Sequence, residues 1–329
     1  MKLNAQQLEI LALLKLDADR SPKDLAKSLG ITERTVRYNL ERMVGLGFAR
    51  RFPMVNVYPL GLRYVNVYFS LAGADRKYAR QLISRLERSP RVSWLAQLGG
   101  DFHYGAAFLV RRYEEVADLF SSLGAKATVA IRNKEITQHL ALHLYSLKFL
   151  SSRSSKSEVF GYWTTGKDVE ADALDFDILN LLASKQMAGG RELSRALGRP
   201  HSTIDARLKR LRRNKVYLGQ WLQASFSLLH YQAFKVLLST NAHDEKTKNH
   251  LRSFCENHPR IDHLIECVGR WDFEVGIVVQ DSTQVLEVVE SLMDEFGPII
   301  QSTQTLPILR LLKLQQCCSL SELSGPILM

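Results

Sequence analysis

The stretch Ser21-Pro22-Lys23-Asp24-Leu25-Ala26-Lys27-Ser28-Leu29-Gly30-Ile31-Thr32-Glu33-Arg34-Thr35-Val36-Arg37-Tyr38 decides the fold. Ser21 is a good helix N-cap, Pro22 suits the first helical position, and Asp24 completes a capping-box-like pair. Ala26, Gly30 and Val36 then stand at helix-turn-helix spacing. The small residue lets two helices approach and the glycine takes a left-handed turn. The branched apolar residue locks the second helix inward. Upstream, Leu8, Leu11 and Leu14 recur at helical spacing; downstream of Gly47 the pattern turns extended, over 48–51 and 55–58, as a wing would.

The same text is written again. A shift of 168 residues lays Ile10-Leu11 on Ile178-Leu179, Leu14 on Leu182, Leu29-Gly30 on Leu197-Gly198 and Thr35 on Thr203. Ser194, Gly198 and Ile204 repeat the helix-turn-helix spacing in register. Such self-similarity is best read as a duplicated unit. After each such unit the periodicity predicts strand, helix, strand, strand, helix, strand, the βαββαβ order of a ferredoxin-like domain. The fold class is therefore expected to be α+β: two winged helix-turn-helix units, each followed by a ferredoxin-like domain. The expected divisions are 1–61 and 62–147 for the first copy, 169–229 and 230–311 for the second. A linker (148–168) joins them, with Ser151-Ser152-Arg153-Ser154-Ser155 at its centre, and a tail (312–329) follows.

Composition agrees. Of 329 residues, 46% are hydrophobic and 24% charged, which argues against wholesale disorder. No apolar run is long enough to span a bilayer, so no membrane partner is expected. Glu9 and Lys15 interrupt the apolar N-terminus, which reads as an amphipathic helix and not as a signal peptide. The four cysteines form no CxxC pair, as in a reducing cytoplasmic compartment. The net charge of +10 makes a polyanion a plausible partner.

The face left outward on the first recognition helix carries Arg34, Thr35, Arg37, Tyr38 and Arg42. In the second copy it carries His201, Ser202, Thr203, Arg207, Arg210 and Arg212. Residues 191–215 hold nine Lys/Arg against Glu192 and Asp205. Such helices suit the major groove of duplex DNA, early residues reading bases and later ones holding phosphates, with Arg50 and Arg51 as phosphate contacts on the wing. No catalytic residue, metal site or cofactor is expected. Gly161 to Lys167 has Walker A spacing, but Asp168 replaces the magnesium-holding Ser/Thr. His139 and His143 have no third ligand in the sequence pattern, and Cys317-Cys318 reads as a packing feature of the tail.

These residues resemble the Lrp/AsnC (feast/famine) regulators, with Leu174-Asp175-Phe176-Asp177-Ile178-Leu179 opening the second copy in their manner. The loop Leu98-Gly99-Gly100-Asp101-Phe102-His103-Tyr104 resembles the family's Gly-Asp-aromatic-Asp-aromatic turn. The resemblance implies a transcriptional regulator and not an enzyme, with an amino acid or similar small effector bound near Gly100, Asp101 and His103 and near Gly269, Arg270 and Asp272. Each loop departs from the pattern, with His103 at one acidic position and Arg270 at the other. The alternative is an enzyme on the same fold, similar to the decarboxylases that remove carboxylates from siroheme. Residues 62–137 carry net +5 and residues 230–310 net −5. Opposite charge and tethering favour an intrachain pseudo-dimer of the two halves; the resemblance also implies higher homo-oligomers.

Overall fold

The computed structural model describes residues 2–71, 76–122, 131–151, 160–164, 168–185, 189–241 and 244–315. Helices α1 (Ala5–Leu14), α2 (Pro22–Leu29) and α3 (Glu33–Gly45) build the first helix-turn-helix unit. Each start is capped: the Asn4, Ser21 and Thr32 side chains accept from the backbone amides of Gln7, Asp24 and Thr35. Gly30 ends α2 at φ +69 and Val36 is fully buried beneath it. The second unit comprises α6 (Ala173–Lys185), α7 (Gly190–Leu197) and α8 (His201–Arg213). Gly198 takes the same turn at φ +60, and Ile204 is buried as Val36 is.

The wings differ from the expected pair of extended runs. Each unit supplies one strand, and the two strands pair with each other. β1 (Ala49–Val55) runs antiparallel to β7 (Tyr217–Ala224), Ala49 opposite Ala224 and Phe52 opposite Trp221. Beyond β1 the chain makes a short 3-10 turn at Tyr58–Leu60.

The rest of the first half runs β2 (Arg63–Leu71), α4 (Arg76–Arg88), β3 (Val92–Leu98), β4 (Tyr104–Val110), α5 (Glu114–Ser122) and β5 (Ile131–Leu144). The second half repeats the order as β8 (Gln232–Thr240), α9 (Glu245–Asn257), β9 (Ile261–Val268), β10 (Phe273–Val279), α10 (Gln284–Phe296) and β11 (Ile300–Leu314). The architecture is thus α+β, two winged helix-turn-helix units each followed by a ferredoxin-like domain.

Tertiary structure adds an exchange. The first part of β5 pairs with β2, while its second part crosses to β9, Leu142 lying opposite Ile265. β11 does the reverse, leaving β8 to pair with β3, Leu311 opposite Ala96. Eight strands, ordered β2-β4-β3-β11-β8-β10-β9-β5, close on themselves through the β2–β5 pairing. Strand alternation sorts the side chains: Val65, Val67 and Phe69 pack outward against Leu82, Leu86, Val116 and Leu119 of the helices. Tyr64, Asn66 and Tyr68 point into the barrel.

The region read as a linker holds structure as well. β6 (Phe160–Trp163) adds to β5, Tyr162 opposite Leu142, so the Walker-like Gly161 sits in a strand. The rest of that motif at 165–167 lies outside the described residues, as do Cys317-Cys318. Among the described residues, no helix is long and apolar enough to cross a membrane.

Candidate functional site

The ribbon β1–β7 lies across the mouth of the barrel, and between them is a cavity of about 920 Å³. Its charged lining is lopsided. Lys15, Arg50, Lys235, Arg310 and Lys313 face it, against the single carboxylate of Asp262. Two imidazoles, His139 and His263, and the rings of Phe52, Tyr64, Trp94, Tyr162, Trp221 and Tyr231 complete the walls. Broad aromatic surfaces with cations at the edges suit a flat polyanion.

The floor is a buried polar centre drawn from both halves. Glu274 is fully buried and ion-paired to Lys235. Its carboxylate also accepts from Tyr68 Oη (2.8 Å), Asn66 Nδ2 (3.0 Å) and Trp271 Nε1 (3.2 Å). Burial pushes this carboxyl up, but Lys235 and the ring of donors hold it down at about 2. Burial lowers His139 to about 4, so it is neutral at physiological pH. His139, Cys267 and Glu274 bring one ligand atom each within 4.8 Å of one another. With its oxygens already engaged by four donors, one of them an ammonium, Glu274 is a poor metal ligand.

At the mouth, the bulge in β9 sets Asp262 beside His263. The His263 Nδ1 to Asp262 Oδ1 contact is 2.7 Å, which orients the ring and, among the described residues, leaves Nε2 without a hydrogen bond. The ring lies flat across Gly276, where a Cβ would come within 2.0 Å of it. His143, four residues beyond His139, faces the opposite way because the strand bulges between them; it meets Glu266 at 2.7 Å.

The residues expected to contact DNA are dispersed. On α3, Arg34, Arg37, Tyr38 and Arg42 are exposed, Arg37 paired with Glu33, and the Thr35 amide is taken by the Thr32 cap. On α8, His201 packs against Gly190, Ser202 is exposed and Thr203 half-buried. Arg207 bonds Asp172 (2.5 Å) and Asp175 (3.3 Å), and Arg210 pairs with the same fully buried Asp175. Arg212 reaches Asp19 at 3.4 Å and lies over Tyr217. Arg50 stacks 4.9 Å from the Phe52 ring centroid and turns into the cavity, while Arg51 stands opposite Leu222 in the ribbon.

The expected effector loops do not line the cavity. Gly100 turns at φ +91 and the Asp101 carboxylate accepts from Gln304 of β11 at 2.7 Å, with His103 Nδ1 accepting from the Leu71 amide. Across the barrel, Gly269 presses on Thr137, Arg270 pairs with Glu135 of β5, and Asp272 accepts from the Thr240 amide at 2.7 Å. Both loops clamp the crossing strand of the opposite half.

Sequence reading missed Lys15, Lys235, Asp262, Arg310 and Lys313. A signal existed for two residues of this region. Lys235 in Ala233-Phe234-Lys235-Val236-Leu237 and Glu274 in Phe273-Glu274-Val275 are lone charges in otherwise apolar strands. Such residues are buried only when paired.

A family model described as winged helix-turn-helix DNA-binding matches residues 3–49. No curated protein matches the sequence. Among solved structures, the siroheme decarboxylase NirDL aligns over 97% of this chain and 95% of its own, at TM-score 0.64 and 14% identity. NirDL in complex with an iron-uroporphyrin III analogue aligns over 97% and 96%, at TM-score 0.63 and 14% identity. The B. subtilis LrpC structure overlaps 43% of this chain and 96% of its own, at 21% identity and TM-score 0.34. At these identities the full-length likeness shows the fold. It also corrects one expectation: the whole-chain fold is shared with an enzyme, so the reading of the chain as no enzyme does not stand.

Proposed function

We propose that the chain is a decarboxylase acting on a carboxylate-rich tetrapyrrole of the siroheme type, held between the wing ribbon and the barrel. The observation that carries this is the cavity itself: with Lys235 neutralised by Glu274, the cations Lys15, Arg50, Arg310 and Lys313 stand against the one carboxylate of Asp262 around aromatic walls. Its iron belongs to the substrate, and the chain supplies binding and a proton. Cations at the rim hold the carboxylates that stay, and the ribbon keeps bulk water from the reacting centre. As the C–C bond breaks and CO2 leaves, the electron pair left on carbon takes a proton. His263, oriented by Asp262, is placed to give it from Nε2. The two halves, in this reading, act as an intrachain pseudo-dimer, supported by the exchange of β5 and β11. The test is to incubate the full chain with siroheme without oxygen and follow CO2 loss by mass spectrometry. An Arg50→Gln/Arg310→Gln variant should bind iron-uroporphyrin III roughly 100- to 10,000-fold more weakly, at about 1.5–3 kcal/mol per charged contact, with its thermal midpoint unchanged. If the wild-type chain neither binds nor decarboxylates, the reading is wrong.

A second reading, sequence-specific binding of duplex DNA as a transcriptional regulator, is favoured by the exposed face of α3, where Arg34, Arg37, Tyr38 and Arg42 remain on the surface. The second recognition helix supports it less, because Arg207 and Arg210 are bound to Asp175. An effector held by the loops at Gly100 and Gly269 has no comparable support. Absence of any retarded complex with genomic fragments at low salt would remove this reading.

A further inference from the structure

The cavity wall contains a cation that the fold does not satisfy. Lys15, at the end of α1, is fully buried, and its Nζ has no hydrogen-bond partner among the described residues. The nearest anion, Asp262 Oδ2, is 3.8 Å away, and Asp262 is already engaged by His263 at 2.7 Å. On its other side the ammonium stands 4.7 Å from the Trp221 ring centroid. Buried polar groups are nearly always hydrogen-bonded, and an ammonium with three idle donors is among the costliest exceptions. The fold also fixes the residue in place. The Lys15 carbonyl accepts from the Leu222 amide at 3.0 Å, and the Ala18 amide donates to Gln220 at 2.9 Å. The helix-turn-helix unit of the first half is thereby docked on the wing strand of the second, and that docking delivers Lys15 to the cavity.

We infer that Lys15 is a ligand anchor, binding one carboxylate of the molecule that occupies the cavity. This deepens the proposed function and rests on it for the identity of that molecule. A carboxylate entering beside Asp262 and Trp221 would accept the idle donors and bring the missing charge partner. The anchor exists at one end only. At the shift of 168 residues Lys15 corresponds to Ala183, a buried alanine of the second unit. A ligand with carboxylates on every side would therefore be held in one orientation, with a fixed edge at Lys15, beside Asp262 and Trp221.

The test compares wild type, Lys15→Met and Lys15→Arg as full chains. Methionine fills the same space without charge, so the ligand-free thermal midpoint of Lys15→Met should be unchanged or higher. Titration with iron-uroporphyrin III, followed by its absorbance, should show affinity about 10- to 100-fold weaker in Lys15→Met and partly recovered in Lys15→Arg. Equal affinity in wild type and Lys15→Met would overturn the anchor while leaving the tetrapyrrole reading intact. If wild type does not bind the porphyrin, that reading fails by itself, and glutarate then tests the anchor. A glutarate-induced rise in the melting temperature that is lost in Lys15→Met sustains it, and no rise in wild type overturns it.

Discussion

Glu274→Gln is expected to destabilise the protein by about 3–5 kcal/mol, the cost of leaving a buried cation without its partner. Lys235 is buried with Glu274, and the carboxylate also collects donors from Tyr68 and Asn66 across the seam between the halves and from Trp271 of its own half. Taking away the charge leaves an ammonium in the barrel with a neutral acceptor. Urea unfolding should show the midpoint falling with its slope preserved. The double variant Lys235→Met/Glu274→Gln should recover much of the loss, because it removes both charges together. A single variant as stable as wild type would contradict this account. The same centre sets the acid limit. His139, lowered to about 4, and Glu274, held at about 2, bind fewer protons folded than unfolded. Stability should therefore decline as pH falls from about 6.5 towards 4 through His139, and from about 4.5 towards 2 through Glu274. Above pH about 7 neither group should add any slope. In Glu274→Gln the part of the decline below pH 4.5 should shrink.

The second large effect is expected at Gly161. A Cβ there would lie 1.8 Å from the Leu142 carbonyl oxygen and 2.9 Å from its carbon. Both atoms are backbone of the neighbouring strand, so no side chain can swing away. Gly161→Ala should therefore detach β6 from β5 and expose Tyr162. That ring is buried, stacked 5.2 Å from Tyr64 and tilted 5.9 Å from Tyr58. Losing a buried aromatic of this size costs about 3–5 kcal/mol. Tyr162→Phe keeps the ring and gives up only a 3.4 Å contact with His139, so it should cost under about 1 kcal/mol. Limited proteolysis around residue 160 should separate the two: rapid cleavage in Gly161→Ala, near wild-type rates in Tyr162→Phe. Comparable behaviour in both would mean that β6 contributes little.

This glycine also shows what local spacing leaves undecided: Asp168 sets the phosphate-loop match aside, but nothing nearby in the chain says what Gly161 is for. Gly161 to Lys167 matches a phosphate-loop spacing, yet the glycine at its head answers to a strand that passes 19 positions earlier in the chain. Arg207 and Arg210 make the same point. Their spacing on a helix behind a turn reads as a basic surface, but Asp175 is 32 and 35 residues away, and only the packing of α6 against α8 brings it to them.

What the sequence determined by itself is whatever its neighbours within a turn or two decide. Ser21, Pro22 and Thr32 start helices, Gly30 and Gly198 turn them, and Val36 and Ile204 bury their inner faces. Alternation then specifies the βαββαβ order. Tertiary structure alone decided that β1 pairs with β7, that β5 and β11 cross to the opposite half, and that a cavity opens between ribbon and barrel. Those features rest on partners such as Asn66 and Glu274, 208 residues apart, or Lys15 and Asp262. No local rule links such pairs. Each residue's intrinsic preference is worth a fraction of a kcal/mol, whereas burying a charge beside its partner, or alone, is worth several. Where the site is made of charges brought together by the closing of a barrel, the local preferences are satisfied either way, and packing makes the choice.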